Sequence, residues 1–452
     1  MKKGINVSMN QMKNLNQQVN LEKKQRPLLV KLFYYLVRLN KLMKVIFQIY
    51  LEKLKKIYRL QKKRWYYKKL IKSVLRNQGK IIVVFPVIPW NFRWQRPQQI
   101  LVEFAKNGYT IIYLSMDLIP RGYIYNTFEE AKRDLEILQI SEDIYQITCM
   151  TVNQINIYTD ILTSEDIQNI YFGLNSLIKS LDFSKLIYLV HFPGWSPIVF
   201  KLREHLNGKV VYDFMDDHSG FSTNNQEVLE EEILLLKKSD LIITSSYKLE
   251  EKAKSYNPNS ILVRNGTEFE HFHNCLPNGK LKNMKNPIIG YYGAIADWFD
   301  VEIIEYCAVN KRDWNYVLIG STSYCDISPL KKLNNVHLLG EKPYKELPGY
   351  LYYFDVCIIP FKIISLTLAT NPVKFYEYLS CGKPVVSVRL PELEQYSEYC
   401  YLADNKEDFL DKLEEALNER TNQELICKRI DLAFNNSWQK RFEQFKERIE
   451  SL

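Results

Sequence analysis

Lys80-Ile-Ile-Val-Val-Phe-Pro86 opens the part of the chain whose reading decides the fold. It is a short, uninterrupted apolar run, the pattern of a strand buried on both faces of a parallel sheet. Residues 98–107 then read as a helix, Gly108 supplies a stop, and residues 110–115 read as a second buried strand. Strand, helix and strand make a β-α-β unit, which builds a parallel sheet with helices packed on its faces.

The same alternation continues outward. Residues 186–191, 209–214, 241–245 and 260–263 are further strand candidates, with a helix expected over 226–239. A second series begins near residue 286. It has strands expected at 287–292, 314–320, 336–340, 356–360 and 384–387, and helices at 301–309, 345–353, 373–380, 407–417 and 422–449. A chain of 452 residues is too long for one ordinary core. The expectation is therefore an α/β protein with two tandem Rossmann-like domains, 79–275 and 276–430, followed by a C-terminal helix, 431–452. Such pairs hold their ligand between the carboxyl ends of both sheets.

Composition narrows the class. Hydrophobic residues are 46% and charged residues 25% of the chain, a globular balance that excludes a disordered, collagen-like or disulfide-scaffold protein. The most apolar long run free of Asp, Glu, Lys and Arg, residues 186–200, is 15 residues and carries His191, Pro193, Gly194 and Pro197. A membrane span needs about 18 apolar residues, so a multipass protein is excluded. The eight cysteines all lie after residue 148 and form no C-x-x-C pair, which suits buried, inert thiols in a reducing cytosol. Residues 1–25 are polar, so no signal peptide is expected.

The net charge of +9 hides an asymmetry. Residues 1–78 carry 21 Lys/Arg against 2 Asp/Glu, and the remainder of the chain is acidic by 10. Residues 1–26 read as poorly ordered. Residues 27–76 have no Gly and no Pro beyond Pro27, and apolar residues recur at helical spacing among Lys31, Arg38, Lys41 and Lys44. One or two basic amphipathic helices are expected. They suit a solvated arm or coiled-coil stalk, or an anionic membrane surface. Nucleic acid is the weakest of the three partners.

The loop after the first strand, Pro89-Trp-Asn-Phe-Arg93-Trp-Gln-Arg96-Pro97-Gln98, has no G-x-G-x-x-G, which argues against a nicotinamide or flavin enzyme. Arg93 and Arg96 stand near a helix start and could fork onto a phosphate or carboxylate, or pair with local acids. His191 ends a strand before a Pro-Gly turn and is either a site residue or a satisfied core histidine. Asp213, Asp216, Asp217 and His218 end the next strand, as acid/base groups or as a capping cluster. They lack a complementary cluster, so no metal is expected. Asn371-Pro372-Val-Lys374-Phe-Tyr-Glu377 starts a helix that Gly382 stops. Lys374 and Glu377 share one face of it, where a helix N-terminus with a cation can cradle a diphosphate and a carboxylate can accept from a ribose diol.

Several segments together resemble a GT-B glycosyltransferase of the family 4-like group. Val263-Arg-Asn265-Gly266, with Phe272 beyond it, resembles the family's strand-plus-Asn-Gly signature. Glu377-Tyr-Leu-Ser-Cys-Gly382-Lys-Pro384-Val-Val resembles its C-terminal-domain signature, and Val336-His-Leu-Leu-Gly340 and Asp355-Val-Cys-Ile-Ile-Pro360 two of its strands. The Arg/Trp loop is similar to that of teichuronic-acid-type cell-surface polysaccharide transferases. The resemblance covers roughly residues 80–445. It implies a retaining hexosyltransferase that moves a sugar from a nucleotide-diphosphate donor to a polysaccharide or lipid-linked acceptor, without cofactor or metal. It implies work in the cytoplasm, or peripherally on the inner face of the plasma membrane. By the same resemblance His191 and Asp216 are expected to be catalytic. Gly293, Asn371, Lys374 and Glu377 would hold the donor, and Arg93 and Arg96 the acceptor or a phosphate. The first Glu of the family's Glu-x7-Glu motif falls at Ala369 and is absent, and its diphosphate-gripping Arg/Lys pair gives way to Gly293-Ala-Ile-Ala-Asp297-Trp298. The alternatives are a non-catalytic GT-B scaffold subunit and a sugar-nucleotide epimerase.

Overall fold

A computed structural model describes residues 5–221, 224–285 and 287–452. The chain divides into two compact units, residues 1–67 and 68–452. The first is helical over its described length, as part of a single helix, Ile5–Arg76. Helix thus begins at Ile5 and includes the stretch expected to be poorly ordered; between Ile5 and Pro27 nothing in the sequence breaks a helix. At about 100° per residue, Leu32, Leu36, Leu39, Met43, Phe47, Tyr50, Leu54 and Ile57 fall on one half of the cylinder. All eight are exposed. Lys41, Lys44, Lys55, Arg59 and Lys62 fall on the other half, but so do the exposed Ile49 and Leu60, and Lys53 and Arg64 fall on the first, so the two faces are only partly segregated.

The last turns of that helix belong to the second unit. Leu70 and Val74 are buried. Ser73 donates to Asp143 at 2.5 Å, and Arg76 reaches the same carboxylate. The expected boundary at residue 78 therefore moves back to 67. Gly79 then turns the chain into the first strand at φ +75°, with Ser184 N only 2.5 Å from where a Cβ would stand.

The second unit holds two large sheets. The first contains β1 (Lys80–Phe85), β2 (Thr110–Leu114), β4 (Glu136–Ser141), β5 (Ile144–Thr148), β7 (Lys185–Val190), β8 (Lys209–Phe214), β9 (Leu241–Thr244) and β10 (Ser260–Leu262). A small pair, β3 (Ile119–Pro120) and β6 (Met150–Thr151), lies apart from it. The order is β10-β9-β8-β7-β1-β2-β5-β4, parallel except where β4 runs against β5. Strands β1 and β2 are buried along nearly their whole length, as an apolar run between helix layers must be. The second sheet contains β11 (Ile288–Tyr292), β12 (Asn315–Ile319), β13 (Val336–Leu338), β14 (Val356–Ile359), β15 (Val385–Val388) and β16 (Tyr401–Ala403). Its order β13-β12-β11-β14-β15-β16 is parallel throughout.

In each sheet the strand order reverses beside its first strand, at β1/β7 and at β11/β14. The loops leaving the carboxyl ends there diverge and open a crevice. The domain exchange differs from expectation at two points. Phe272 and Leu281 are buried in the second core, so the chain has already crossed before residue 275. The helix expected over 422–449 is two helices, Gln423–Asn435 and Trp438–Glu450. They break where Trp438 N donates to Thr267 O at 2.9 Å. The second returns to the first domain, with Trp438, Phe442, Phe445 and Ile449 in its core against Ile100 and Phe104.

Candidate functional site

A cavity of about 990 Å³ lies between the carboxyl ends of the two sheets. One wall is the loop after β1 with Met215 and Asp216 after β8. The other is built from the turns after β11, β12, β13 and β14 and from the start of the helix Val373–Ser380.

The first wall is rigid. Trp90 packs edge-on against Tyr113 and Trp94, with ring centroids 5.2 and 5.9 Å apart. Gln98 donates to the carbonyls of Trp90 and Arg93 at 3.1 and 3.2 Å, which holds the loop over the helix it precedes. Arg93 borders the cavity and donates to Glu341 of the opposite wall at 2.7 Å. Asp216 also borders it, and burial pushes its carboxyl up to about 6.

Two expected residues on this side are buried, Arg96, which still borders the cavity, and His191, which does not. Arg96 is 3% exposed and forks onto Asp213 through Nε and Nη2, at 3.1 and 2.8 Å. Its Nη1 donates to the carbonyls of Val263 and Arg264, at 2.8 and 3.3 Å, and to the side-chain oxygen of Asn265. The fork expected for a phosphate or acceptor therefore ties the first helix to β8 and to the interdomain crossing. His191 is 2% exposed and is not among the residues lining the cavity. Burial pushes it down to about 4, so the ring is neutral at pH 7. His191 as a catalytic residue facing the cleft is thus corrected to a buried histidine behind it.

The second wall keeps its charges toward the cavity. Gly293 ends β11 at φ +142°, and a Cβ there would sit 2.8 Å from Lys374 Cε. After β12, Gly320 comes so close that a Cβ would fall 1.8 Å from Gly293 O. Two glycines thus let backbone meet backbone on the floor of the cleft. Lys374 rests over the rings of Tyr291 and Phe361, 5.5 and 5.1 Å from their centroids. Burial lowers its ammonium to about 8, against the pull of Glu377. Glu377 is 7% exposed, and burial raises its carboxyl to about 7, with Tyr292 and Lys374 drawing it back.

Asn371 borders the cavity, but its side chain is committed elsewhere. It accepts from Asn265 N at 3.0 Å and donates to Tyr376 and Glu392, both at 3.1 Å. It therefore bridges the domains, and the donor-holding role expected of it narrows to Lys374, Glu377 and the Gly293 turn. Sequence reading missed Glu341, Tyr344 and Thr367, which also line the cavity. Their one signal was position, since each follows a strand at its carboxyl end.

Two parallel α/β domains facing each other across a cleft, with a cation and a carboxylate at the start of a C-domain helix, have the architecture of the GT-B fold. Residues 286–419 match the family described as glycosyl transferases group 1. Over 276 residues the chain is 27% identical to TuaH of Bacillus subtilis (strain 168), named for glycosyl transfer in teichuronic acid biosynthesis; the match covers 56% of this chain and 69% of that protein. Sucrose-phosphate synthase (tll1590) from Thermosynechococcus elongatus shares the fold with a TM-score of 0.61 at 14% identity, over 81% of this chain and 98% of its own. A glycosyltransferase from Rickettsia africae ESF-5 does so with a TM-score of 0.60 at 13% identity, over 82% and 98%. Anabaena Alr3699/HepE, solved with UDP and glucose, aligns with a TM-score of 0.57 at 14% identity, over 83% and 100%.

Proposed function

We propose that this glycosyltransferase takes its sugar from a nucleotide-diphosphate donor and adds it to a cell-surface polysaccharide or lipid-linked acceptor. The observation that carries the donor half is the pairing of Lys374 with Glu377 on the cleft side of one helix start. As the glycosidic bond to the diphosphate breaks, negative charge grows on the leaving oxygens. The Lys374 ammonium and the helix N-terminus are placed to stabilise it, and Glu377 can accept from the ribose diol. Asp216, across the cleft with its carboxyl near 6, can take the proton of an acceptor hydroxyl. Teichuronic acid in the name of the relative supports the polysaccharide acceptor.

A thermal-shift screen of nucleoside diphosphates and their sugars tests the donor. A ligand at 100 times its dissociation constant stabilises by about 2.7 kcal/mol, so the right nucleotide raises the melting temperature and the wrong ones do not. If no nucleotide shifts it, the donor reading fails. The family resemblance favours a retaining hexosyltransferase, and the anomeric configuration of the first product, read by NMR, decides that.

A second reading concerns the helix Ile5–Arg76. Its many basic residues, interleaved with exposed apolar side chains, fit the surface of an anionic membrane, where each Lys or Arg contributes up to about 1 kcal/mol. No helix among the described residues is long and apolar enough to cross a membrane. Full-length protein is expected to sediment with anionic vesicles and to be released as salt shortens the Debye length below about 8–10 Å. Deleting residues 1–67 should abolish this and leave the rest folded. Stable oligomers lost on the same deletion, with no vesicle binding, would favour a coiled-coil stalk.

A further inference from the structure

Glu392 belongs to no motif, yet three segments of the fold meet at its carboxylate. It is 2% exposed and lies in the short helix Pro391–Glu394, after β15. Its Oε1 accepts from Tyr247 N at 2.5 Å. Its Oε2 accepts from Arg264 Nε at 2.8 Å and from Asn371 Nδ2 at 3.1 Å. Tyr247 begins the helix Tyr247–Lys254 after β9, and Arg264 lies in the crossing after β10. Asn371 stands just before the cleft helix Val373–Ser380. A carboxylate buried this deeply needs charged or hydrogen-bonding partners, and all three of these come from outside its own helix.

Each oxygen leads to a different wall of the cleft. On the second wall, Asn371 is also gripped by Asn265, whose N donates to its Oδ1 at 3.0 Å and whose Nδ2 donates to its carbonyl at 2.7 Å. Asn371 thereby fixes the entry into the helix that carries Lys374 and Glu377. On the first wall, Ser246 caps the helix Tyr247–Lys254 by accepting from Leu249 N, and Ser245 Oγ donates to Met215 O at 2.7 Å. Met215 immediately precedes Asp216, and both border the cavity, whereas Glu392 and Arg264 do not.

We propose that Glu392 is a positioning residue for sugar transfer, holding the Asp216 loop and the Lys374 helix in register across the cleft from behind it. The role rests on the reading above of Asp216 and Lys374. Reacting groups carried on opposite walls must keep their separation, and a displacement of 1 Å can cost about 100-fold in rate. Lys374 and Glu377 ride on one helix, so loosening that helix moves them together. The grip on a nucleotide then survives while its distance from Asp216 does not. The signature is a fall in kcat with KM preserved.

The first arm of the test needs no substrate. Amide hydrogen exchange is compared between full-length parent and Glu392→Ala, well below the unfolding transition. Exchange should quicken at least about tenfold at both 215–221 and 371–380, with parent rates kept in β1 and β2. Glu394→Gln, at an exposed position of the same short helix, should change neither segment. Glu392→Gln separates the two ties. Its amide oxygen can still accept from Arg264 and Asn371, and its NH2 group then faces Tyr247 N, a second donor. Exchange should therefore quicken at 215–221 and stay slow at 371–380, and this variant decides the matter if the alanine variant does not fold.

The second arm uses the nucleotide sugar that raises the melting temperature most in the screen above. Glu392→Ala should lower kcat for release of the nucleoside diphosphate about tenfold or more and keep KM within about twofold. The proposal is overturned if faster exchange in Glu392→Ala is confined to residues 389–396, if Glu392→Gln exchanges like the parent at 215–221, or if KM rises with kcat unchanged. If the screen finds no nucleotide, the donor reading falls alone and the exchange arm decides whether Glu392 holds the walls in register.

Discussion

The two walls of the cleft handle charge in opposite ways. On the first, the buried arginine is fully engaged with protein: Arg96 faces Asp213, and both are almost completely buried. On the second, Lys374 and Glu377 are held out of water yet left facing the cavity, with their ionisation equilibria displaced toward neutral pH. A buried ion pair braced by further hydrogen bonds to backbone carbonyls is a fastening. A desolvated cation and carboxylate open to a cavity are a binding site awaiting charge. Residue type and loop position are alike on the two walls, so only the partners separate the roles.

The largest effect should come from breaking the fastening. Arg96→Ala strands Asp213 as an unpaired buried carboxylate and should cost about 3–5 kcal/mol of stability, measured by chemical denaturation. If the variant denatures like the parent and loses only turnover, Arg96 belongs with the binding groups and the contrast collapses. On the second wall, Glu377→Gln should weaken nucleotide binding about tenfold, consistent with about 1.5–3 kcal/mol for a hydrogen bond to a charged group. Its unfolding transition should move little. Equal affinity in calorimetry would remove the ribose role.

The titrations sharpen the same contrast. Glu377 must be ionised to accept from a diol, and its carboxyl titrates at about 7. Lys374 must be protonated to hold a phosphate, and its ammonium titrates at about 8. Affinity for a nucleotide sugar should therefore rise as pH climbs toward 7 and fall as it passes 8. The sign for folding is the reverse for Glu377. A carboxyl raised by burial contributes stability below its unfolded value, which is lost as pH rises through about 7. Lys374→Gln should remove the alkaline fall and move the acid limb to higher pH, since Lys374 draws the Glu377 carboxyl down. The smallest effect belongs to the contact that joins the walls, Arg93 with Glu341, where both side chains reach solvent. Glu341→Gln should change stability by less than about 1 kcal/mol, while altering how the freed Arg93 meets an anionic substrate.

Much of the fold was legible because parallel strands buried on both faces are written as apolar runs. β1, β2, β7 to β12, β14 and β15 all lie within a residue or two of their expected positions. Strands β4, β5 and β16, with mixed patterns such as Glu136-Ile-Leu-Gln-Ile-Ser141, were not legible, since polar residues interrupt the apolar run. In the site, Lys374 and Glu377 could be read because their partnership is local, three residues apart on a helix. Arg96 could not, because Asp213 lies 117 residues away and only the folded sheet brings them together. His191 shows the same limit from the other side: a strand-end histidine looks alike whether it faces the cleft or the core.

The helix Trp438–Glu450 has a consequence in time rather than space. It completes the core of a domain whose first strand was made more than three hundred residues earlier in the chain. The ribosome emits the first domain well before Trp438, Phe442 and Phe445 exist to cover Phe104. That domain must therefore wait, with an aromatic face open, until the second has been synthesised. The vulnerable period of this protein falls during its making, and a nonsense or frameshift lesion near residue 437 would strike the domain encoded first.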